Sequence, residues 1–173
     1  MDSARSHARI TKADLRRLAR IVHEDREDFF ERHPEWAILY RKRLLGTALC
    51  GSGALHYLNG ITGVDQFEVV AFYAEHADAG FPFQRVSHAD FGKSKFGRGV
   101  EPPETYEGLR VSLQGRSIEG GPGGDPLEAI QRYLKAGATP TARELARRAV
   151  VMLEPEALLG IEAWPSLVLP PRR

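Results

Sequence analysis

LLGTALCGSGALHYLNGITGVDQFEVVAFY, residues 44–73, is the stretch that decides the fold. Small apolar residues at 46–50 predict a buried central strand. Gly51, Ser52 and Gly53 follow as a turn, and because glycine leaves the backbone bare, their N–H groups can face an anion such as phosphate. The stretch therefore predicts a strand that leads directly into an anion-binding turn.

The second half of this stretch predicts a strand with polar residues on one face. A short helix is predicted at 54–58, with its first turn beside the Gly-Ser-Gly turn, and it ends at Gly60. Apolar and polar residues then alternate. Since side chains alternate across a strand, Gln66 and Glu68 share one face.

A third strand is predicted at 109–118 by the same alternation. Its apolar side chains face one way, and Arg110, Ser112 and Gln114 face the other. An arginine, a serine and a glutamine do not make a core face. These three side chains are therefore expected to face solvent or a cleft.

This order of strand, Gly-Ser, helix and strand resembles the start of the nucleotidyltransferase superfamily, whose second strand carries Asp-x-Asp or Asp-x-Glu. Two further phrases are similar to those of small bacterial proteins described as nucleotidyltransferase-like. They are DFGKSKFG at 90–97 and RVSLQGRS at 110–117, where that group has Asp in place of Ser112. The resemblance, carried between residues 44 and 117, implies an α/β (α+β) fold: a small mixed sheet flanked by helices, with helices at both ends.

The resemblance also implies three metal-binding carboxylates, and two of them are replaced. Gln66, Glu68 and Ser112 stand in those positions, so one formal negative charge remains of three. Nucleotidyl transfer uses paired Mg²⁺ ions, which need several oxygen ligands and enough negative charge to offset their mutual repulsion. Mg²⁺ is therefore expected only if the chain is active, with Glu68 and Asp90 as the candidate ligands.

Residues 87–99, SHADFGKSKFGRG, combine glycines with cations. The composition predicts a mobile surface loop, and its spacing is not that of a Walker loop. The candidates for phosphate contacts are the Gly-Ser-Gly turn and four residues of this loop, Lys93, Ser94, Lys95 and Arg98.

The flanking segments are predicted to be helical. An amphipathic helix is expected at 11–31, and Pro34 begins a second one. Toward the C-terminus, Asp125 starts a helix, and Thr139 starts another that carries Leu145 and Met152 inward. No strand is predicted after residue 118.

Three residues also have purely structural interpretations. Cys50 in the apolar strand is expected to be a buried hydrophobe rather than a nucleophile. A half-buried Glu68 paired with Arg110 on the neighbouring strand is an alternative to a metal ligand. His56, on the helix after the Gly-Ser turn, is expected to pack or to lie on the surface.

Length, charge and hydrophobicity indicate the number of domains, the partners to expect and the cellular location. The 173 residues predict one domain spanning 1–173, with a loose arm at 1–10 and a frayed tail at 165–173. A net charge of +1 does not indicate nucleic-acid binding. No apolar run reaches the roughly 20 residues of a membrane span, so no membrane partner is expected. The N-terminus lacks an apolar signal core, which predicts a cytoplasmic location.

Three functions stay open at this level. The first is a catalytically degenerate domain that binds a nucleotide, a nucleic acid or a protein partner through residues 51–53 and 93–98. The second is an active, metal-dependent enzyme that transfers a nucleoside monophosphate from an altered metal site. The third is a module for protein–protein interaction alone.

Overall fold

A mixed sheet of six strands organises the part of the chain that the computed structural model describes, residues 8–81, 86–93, 108–121 and 123–164. The strands are β1 (Leu44–Cys50), β2 (Phe67–Ala74), β3 (Val86–Lys93), β4 (Gly108–Ile118), β5 (Val150–Glu154) and β6 (Glu162–Trp164). The helices are α1 (Lys12–Arg32), α2 (Pro34–Tyr40), α3 (Gly51–Asn59), α4 (Pro126–Ala136) and α5 (Pro140–Leu145). Short 3₁₀ turns lie at Arg41–Arg43 and Glu156–Leu158.

The strand order is β3-β4-β2-β1-β5-β6. β2 and β4 run parallel, and the other neighbours run antiparallel. A parallel pair needs a crossover, and here the chain makes it by way of the edge strand β3. The expected α+β class with a mixed sheet is confirmed.

Apolar side chains fill both faces of the sheet. On one face they pack against α1 and α3, with a core that includes Leu15, Leu18, Leu49, Phe67, Val69 and Val111. On the other face they pack against α4, with a core that includes Ala48, Val70, Phe72, Ile130, Leu134 and Met152. On this second face a cavity lies beside β4.

The N-terminal helices follow the predicted pattern. Thr11 caps α1 through a reciprocal capping box with Asp14, and Pro34 opens α2. The predicted loose arm is wrong at its last residues, because Ile10 is buried in the core and Arg9 donates a hydrogen bond to the Leu58 carbonyl at 3.2 Å. Residues 1–7 and the predicted frayed tail at 165–173 lie outside the described residues.

The prediction that the chain after residue 118 is only helical is wrong. α5 ends at Leu145, and Val150–Glu154 forms β5, which pairs antiparallel with β1. The first four residues of β5 are fully buried, so this strand shows no alternation. Because both faces of β5 are buried, its residues do not alternate between apolar and polar. A continuous apolar run of this kind has no periodicity that distinguishes a strand from a helix.

The predicted loop at 87–99 is also partly wrong. Residues 86–93 form β3 at the edge of the sheet, with Ser87 opposite Leu113 and His88 opposite Ser112. The backbone ladder with β4 outweighs the poor strand propensity of this Ser- and Gly-containing sequence. The remainder of the predicted loop, residues 94–99, lies outside the described residues.

A polar network that the sequence did not reveal joins α1 to the sheet. Arg26 donates two hydrogen bonds to the Glu154 carboxylate, at 2.9 and 3.1 Å, and its Nη2 lies 2.9 Å from His23 Nδ1. Fully buried Thr47 donates a further bond to Glu154 at 3.0 Å. Burial lowers the pKa of the Arg26 guanidinium, but the hydrogen bond and charge of Glu154, together with Tyr73 and Glu27, raise it overall. The pair therefore fixes α1 against β1 and β5.

We predict that Glu154→Ala lowers the free energy of unfolding by about 3 kcal/mol, because it leaves Arg26 buried without its counter-charge. Glu156→Ala is the matched control, since Glu156 pairs with Arg16 at 3.1 Å on the surface and is expected to cost about 0.5 kcal/mol or less. Urea denaturation followed by circular dichroism measures both. Equal losses would show that the buried pair contributes no more than a surface pair.

Candidate functional site

The structure brings the three expected carboxylate positions together. Glu68 on β2 stands directly opposite Ser112 on β4 in the parallel register. The Gln66 amide donates a hydrogen bond to Glu68 Oε1 at 3.4 Å. β2, the residue just before it and β4 therefore present one carboxylate, one amide and one hydroxyl at the same place.

The start of α3 lies against this group. The predicted turn at 51–53 is not separate from the helix, because α3 begins at Gly51 itself. Gly51 has a φ of 64°, and a methyl group added there would overlap Glu68 Oε2. The Glu68 carboxylate thus lies beside the first turn of α3, where the helix dipole favours a negative charge.

A cavity of about 440 Å³ opens next to Glu68, between β4 and the segment around α5. Its polar walls come from Ser112, Gln114, Arg116, Thr141, Glu144 and Arg148. The alternation of β4 accounts for the sheet side, since residues 112, 114 and 116 must share a face. The cavity therefore joins the expected carboxylate positions to two arginines that come from different elements.

The cavity carries balanced charge. Glu68 and Glu144 supply two carboxylates, and Arg116 and Arg148 supply two guanidinium groups. Burial lowers the pKa of Arg116, and Tyr133 acts in the opposite direction. Burial therefore opposes the charge of Arg116 at the wall of the cavity.

The donor set does not fit a pair of magnesium ions. Gln66, Glu68 and Ser112 offer one formal negative charge, and the Gln66 amide already bonds the carboxylate that a metal would need. Within the described ranges, no three His, Cys, Asp or Glu residues lie grouped as a metal ion would require.

Asp90, the predicted substitute ligand, lies on β3, which is separated from β2 by β4. Its Oδ1 accepts backbone N–H groups from Gly92 at 2.7 Å and from Leu109 at 3.3 Å. These bonds stabilise the irregular pairing at the edge of the sheet, where the register shifts between Asp90 and Lys93. Asp90 thus has a clear structural role outside the cavity.

The alternative of a half-buried Glu68 paired with Arg110 predicts the wrong burial for this side chain. Glu68 is exposed rather than half-buried, and the hydrogen bond it accepts comes from Gln66. Arg110 stands opposite Asp90 across β3 and β4. Glu68 is therefore available to the cavity that it lines.

Two further residues near the site are structural. Cys50 is buried, and desolvation together with the nearby charge of Glu68 raises the pKa of its thiol. A protonated, buried thiol is not a nucleophile. His56 is also buried, with Nδ1 2.8 Å from the Thr62 carbonyl oxygen, where it ties α3 to the loop that follows.

The predicted phosphate loop is only partly described. Lys93 is the last residue of β3 and pairs with Gly108. Ser94, Lys95 and Arg98 lie outside the described residues.

Sequence reasoning missed the arginines of the cavity. Arg116 continues the alternation of Ser112 and Gln114 and was open to prediction from β4 alone. Arg148 lies in the segment that the sequence predicts to continue the helix from Thr139 to Met152, and its place at the cavity depends on the tertiary arrangement of this segment across from β4.

Comparison of the chain with protein-family models, curated proteins and solved structures finds no match. The helices among the described residues are too short or too polar to cross a bilayer.

We predict that Gly51→Ala lowers the free energy of unfolding by about 1–2 kcal/mol, because alanine is strained at this φ and its methyl group meets Glu68. Gly51→Ala/Glu68→Ala relieves only the contact, so its loss should be smaller than the sum of the single losses. Gly121→Ala is the control, since no atom lies within 4 Å of its added methyl group. Thermal unfolding measures these three variants and Glu68→Ala alone. A loss of stability in Gly51→Ala no greater than in Gly121→Ala would contradict this prediction.

Proposed function

We propose that this chain is a nucleotidyltransferase-like domain that has lost catalysis and binds a nucleotide without a metal ion. The observation that carries the proposal is the cavity of about 440 Å³, which is lined by Glu68 and Ser112 and also by Arg116 and Arg148. The resemblance of residues 44–117 to the superfamily supplies the expectation of a nucleotide, and the cavity lies beside the positions that the resemblance marks.

The loss of catalysis follows from charge. Two divalent ions held close together repel strongly unless several carboxylates surround them. Gln66 and Ser112 are neutral, and Asp90 is on the edge strand, bonded to backbone N–H groups. Glu68 alone does not compensate two dications.

The retained binding is supported by size and by donor chemistry. Small-molecule sites enclose about 300–1,000 Å³, and this cavity falls in that range. A guanidinium group can bind two phosphate oxygens at once. Amides and hydroxyls such as those of Gln114 and Thr141 can hydrogen-bond to a base or a sugar. The wall thus offers partners for each part of a nucleotide.

We predict that at least one nucleoside triphosphate raises the melting midpoint of the protein equally with Mg²⁺, with Mn²⁺ and with EDTA. At a ligand concentration 100 times the Kd, the expected rise is roughly 5–10 °C for a domain of this size. Differential scanning fluorimetry measures it. A rise that needs the metal would favour the active-enzyme alternative, and no rise with any nucleotide would favour the protein–protein module.

A gain-of-function variant tests the resemblance in the same assay. Gln66→Asp/Ser112→Asp restores carboxylates at the two neutral positions, so Mn²⁺ or Mg²⁺ should then raise the midpoint where it does not in the wild type. Gln66→Asn/Ser112→Asn is the uncharged control. If the metal raises the melting midpoint of the Asp variant no more than that of the Asn variant, these positions do not form the superfamily's metal site.

A further inference from the structure

Glu68 decides where an anionic group can bind in the cavity. Its carboxylate lies against Gly51 at the start of α3, the place at which a helix dipole would attract an anion. A phosphate placed there would meet a carboxylate at close range without a metal ion between them, and like charges repel. The anionic end of a ligand must therefore bind elsewhere in the cavity.

Arg116 provides that other place. It is four residues beyond Ser112 on β4, and Ser112 stands opposite Glu68. At about 3.3 Å per residue, the backbone of Arg116 is about 13 Å along the strand from the level of Glu68. Gln114 separates the two levels on the same face. The sheet wall thus runs from a carboxylate, through neutral donors, to a guanidinium.

Arg148 faces the same cavity from another element. It follows α5 and lines the cavity with Thr141 and Glu144 from that helix. Glu144 Oε2 lies 3.6 Å from Arg147 Nη1, so this second carboxylate is associated with the neighbouring arginine. Each guanidinium can form two parallel hydrogen bonds with phosphate oxygens, and the two arginines approach the cavity from different walls.

We propose that Arg116 and Arg148 bind the phosphate end of the ligand without a metal ion, and that Gln66 and Glu68 accept hydrogen-bond donors from its other end. The ligand class is a phosphorylated small molecule whose far end carries amino or hydroxyl groups. The assignment of that molecule as a nucleotide rests on the proposed function; the arginine phosphate site does not.

Isothermal titration calorimetry in EDTA at about 0.15 M salt, where weak surface attraction is screened, tests the proposal. The probes are inorganic pyrophosphate and the four nucleoside monophosphates. Wild-type protein should bind pyrophosphate, and Arg116→Gln and Arg148→Gln should each weaken it about tenfold or more, since one charge-assisted hydrogen bond contributes on the order of a factor of ten.

Matched variants separate the site from general charge and from folding. Arg143→Gln removes the same charge from α5 at a residue that does not line the cavity and instead donates to the Gly137 carbonyl at 2.8 Å. It should leave affinity within about twofold, because distant exposed charges contribute little at this salt concentration. Arg116→Lys keeps the charge but loses the planar fork, and should fall between wild type and Arg116→Gln. Glu68→Gln should bind pyrophosphate at least as tightly as wild type. A circular dichroism melt of each variant confirms that it is folded.

The outcomes distinguish this inference from the proposed function. Nucleotide binding that survives Arg116→Gln/Arg148→Gln overturns the arginine site and leaves the proposed function standing. If pyrophosphate binding depends on the arginines but no nucleoside monophosphate binds more tightly than pyrophosphate, the arginine site stands and the assignment of the ligand as a nucleotide is overturned. Absence of pyrophosphate binding, or binding that requires Mg²⁺ and is lost in Glu68→Gln, overturns the inference.

Discussion

The parallel pairing of β2 with β4 is the constraint on which the site depends. It places Glu68 opposite Ser112 and, four residues on, Phe72 opposite Arg116. Because side chains alternate, a shift of one residue in this register would turn the polar row of β4 into the core and expose its apolar row. Fully buried Leu109 and Val111 on the other face of β4 oppose such a shift. The core behind the sheet therefore determines which polar side chains face the cavity.

Charge then decides what this arrangement can do. Where the proposed function expects metal-binding carboxylates, the cavity has one, Glu68, and the Gln66 amide donates a hydrogen bond to it. The compensating cations are on the protein itself, as Arg116 and Arg148. In a metal enzyme the ion bridges protein carboxylates and ligand phosphates, whereas guanidinium groups bind phosphates directly. Under the proposed function, replacing the metal ions by guanidinium groups keeps recognition of an anionic ligand and removes the Lewis acid.

The accuracy of sequence-based prediction followed the clarity of local signals. Alternation placed Glu68 and Ser112 on cavity-facing sides, and Thr11 marked the start of α1 through its cap. The signal failed where burial on both faces made β5 uniformly apolar, and where pairing with β4 made residues 86–93 a strand. Arg148 joins the cavity through the packing of α5 beside the sheet, which is a tertiary effect that no local pattern encodes.

Metal-free binding of a nucleotide in the cavity is tested most directly by an assigned ¹H–¹⁵N spectrum of the protein, recorded while a nucleoside monophosphate is added in EDTA. Metal-free binding in the cavity should place the largest shift changes on the amides of Ser112, Gln114 and Arg116 in β4 and of Thr141 in α5, which line the cavity. Changes confined to other parts of the chain, or changes at these amides only after Mg²⁺ is added, would contradict it.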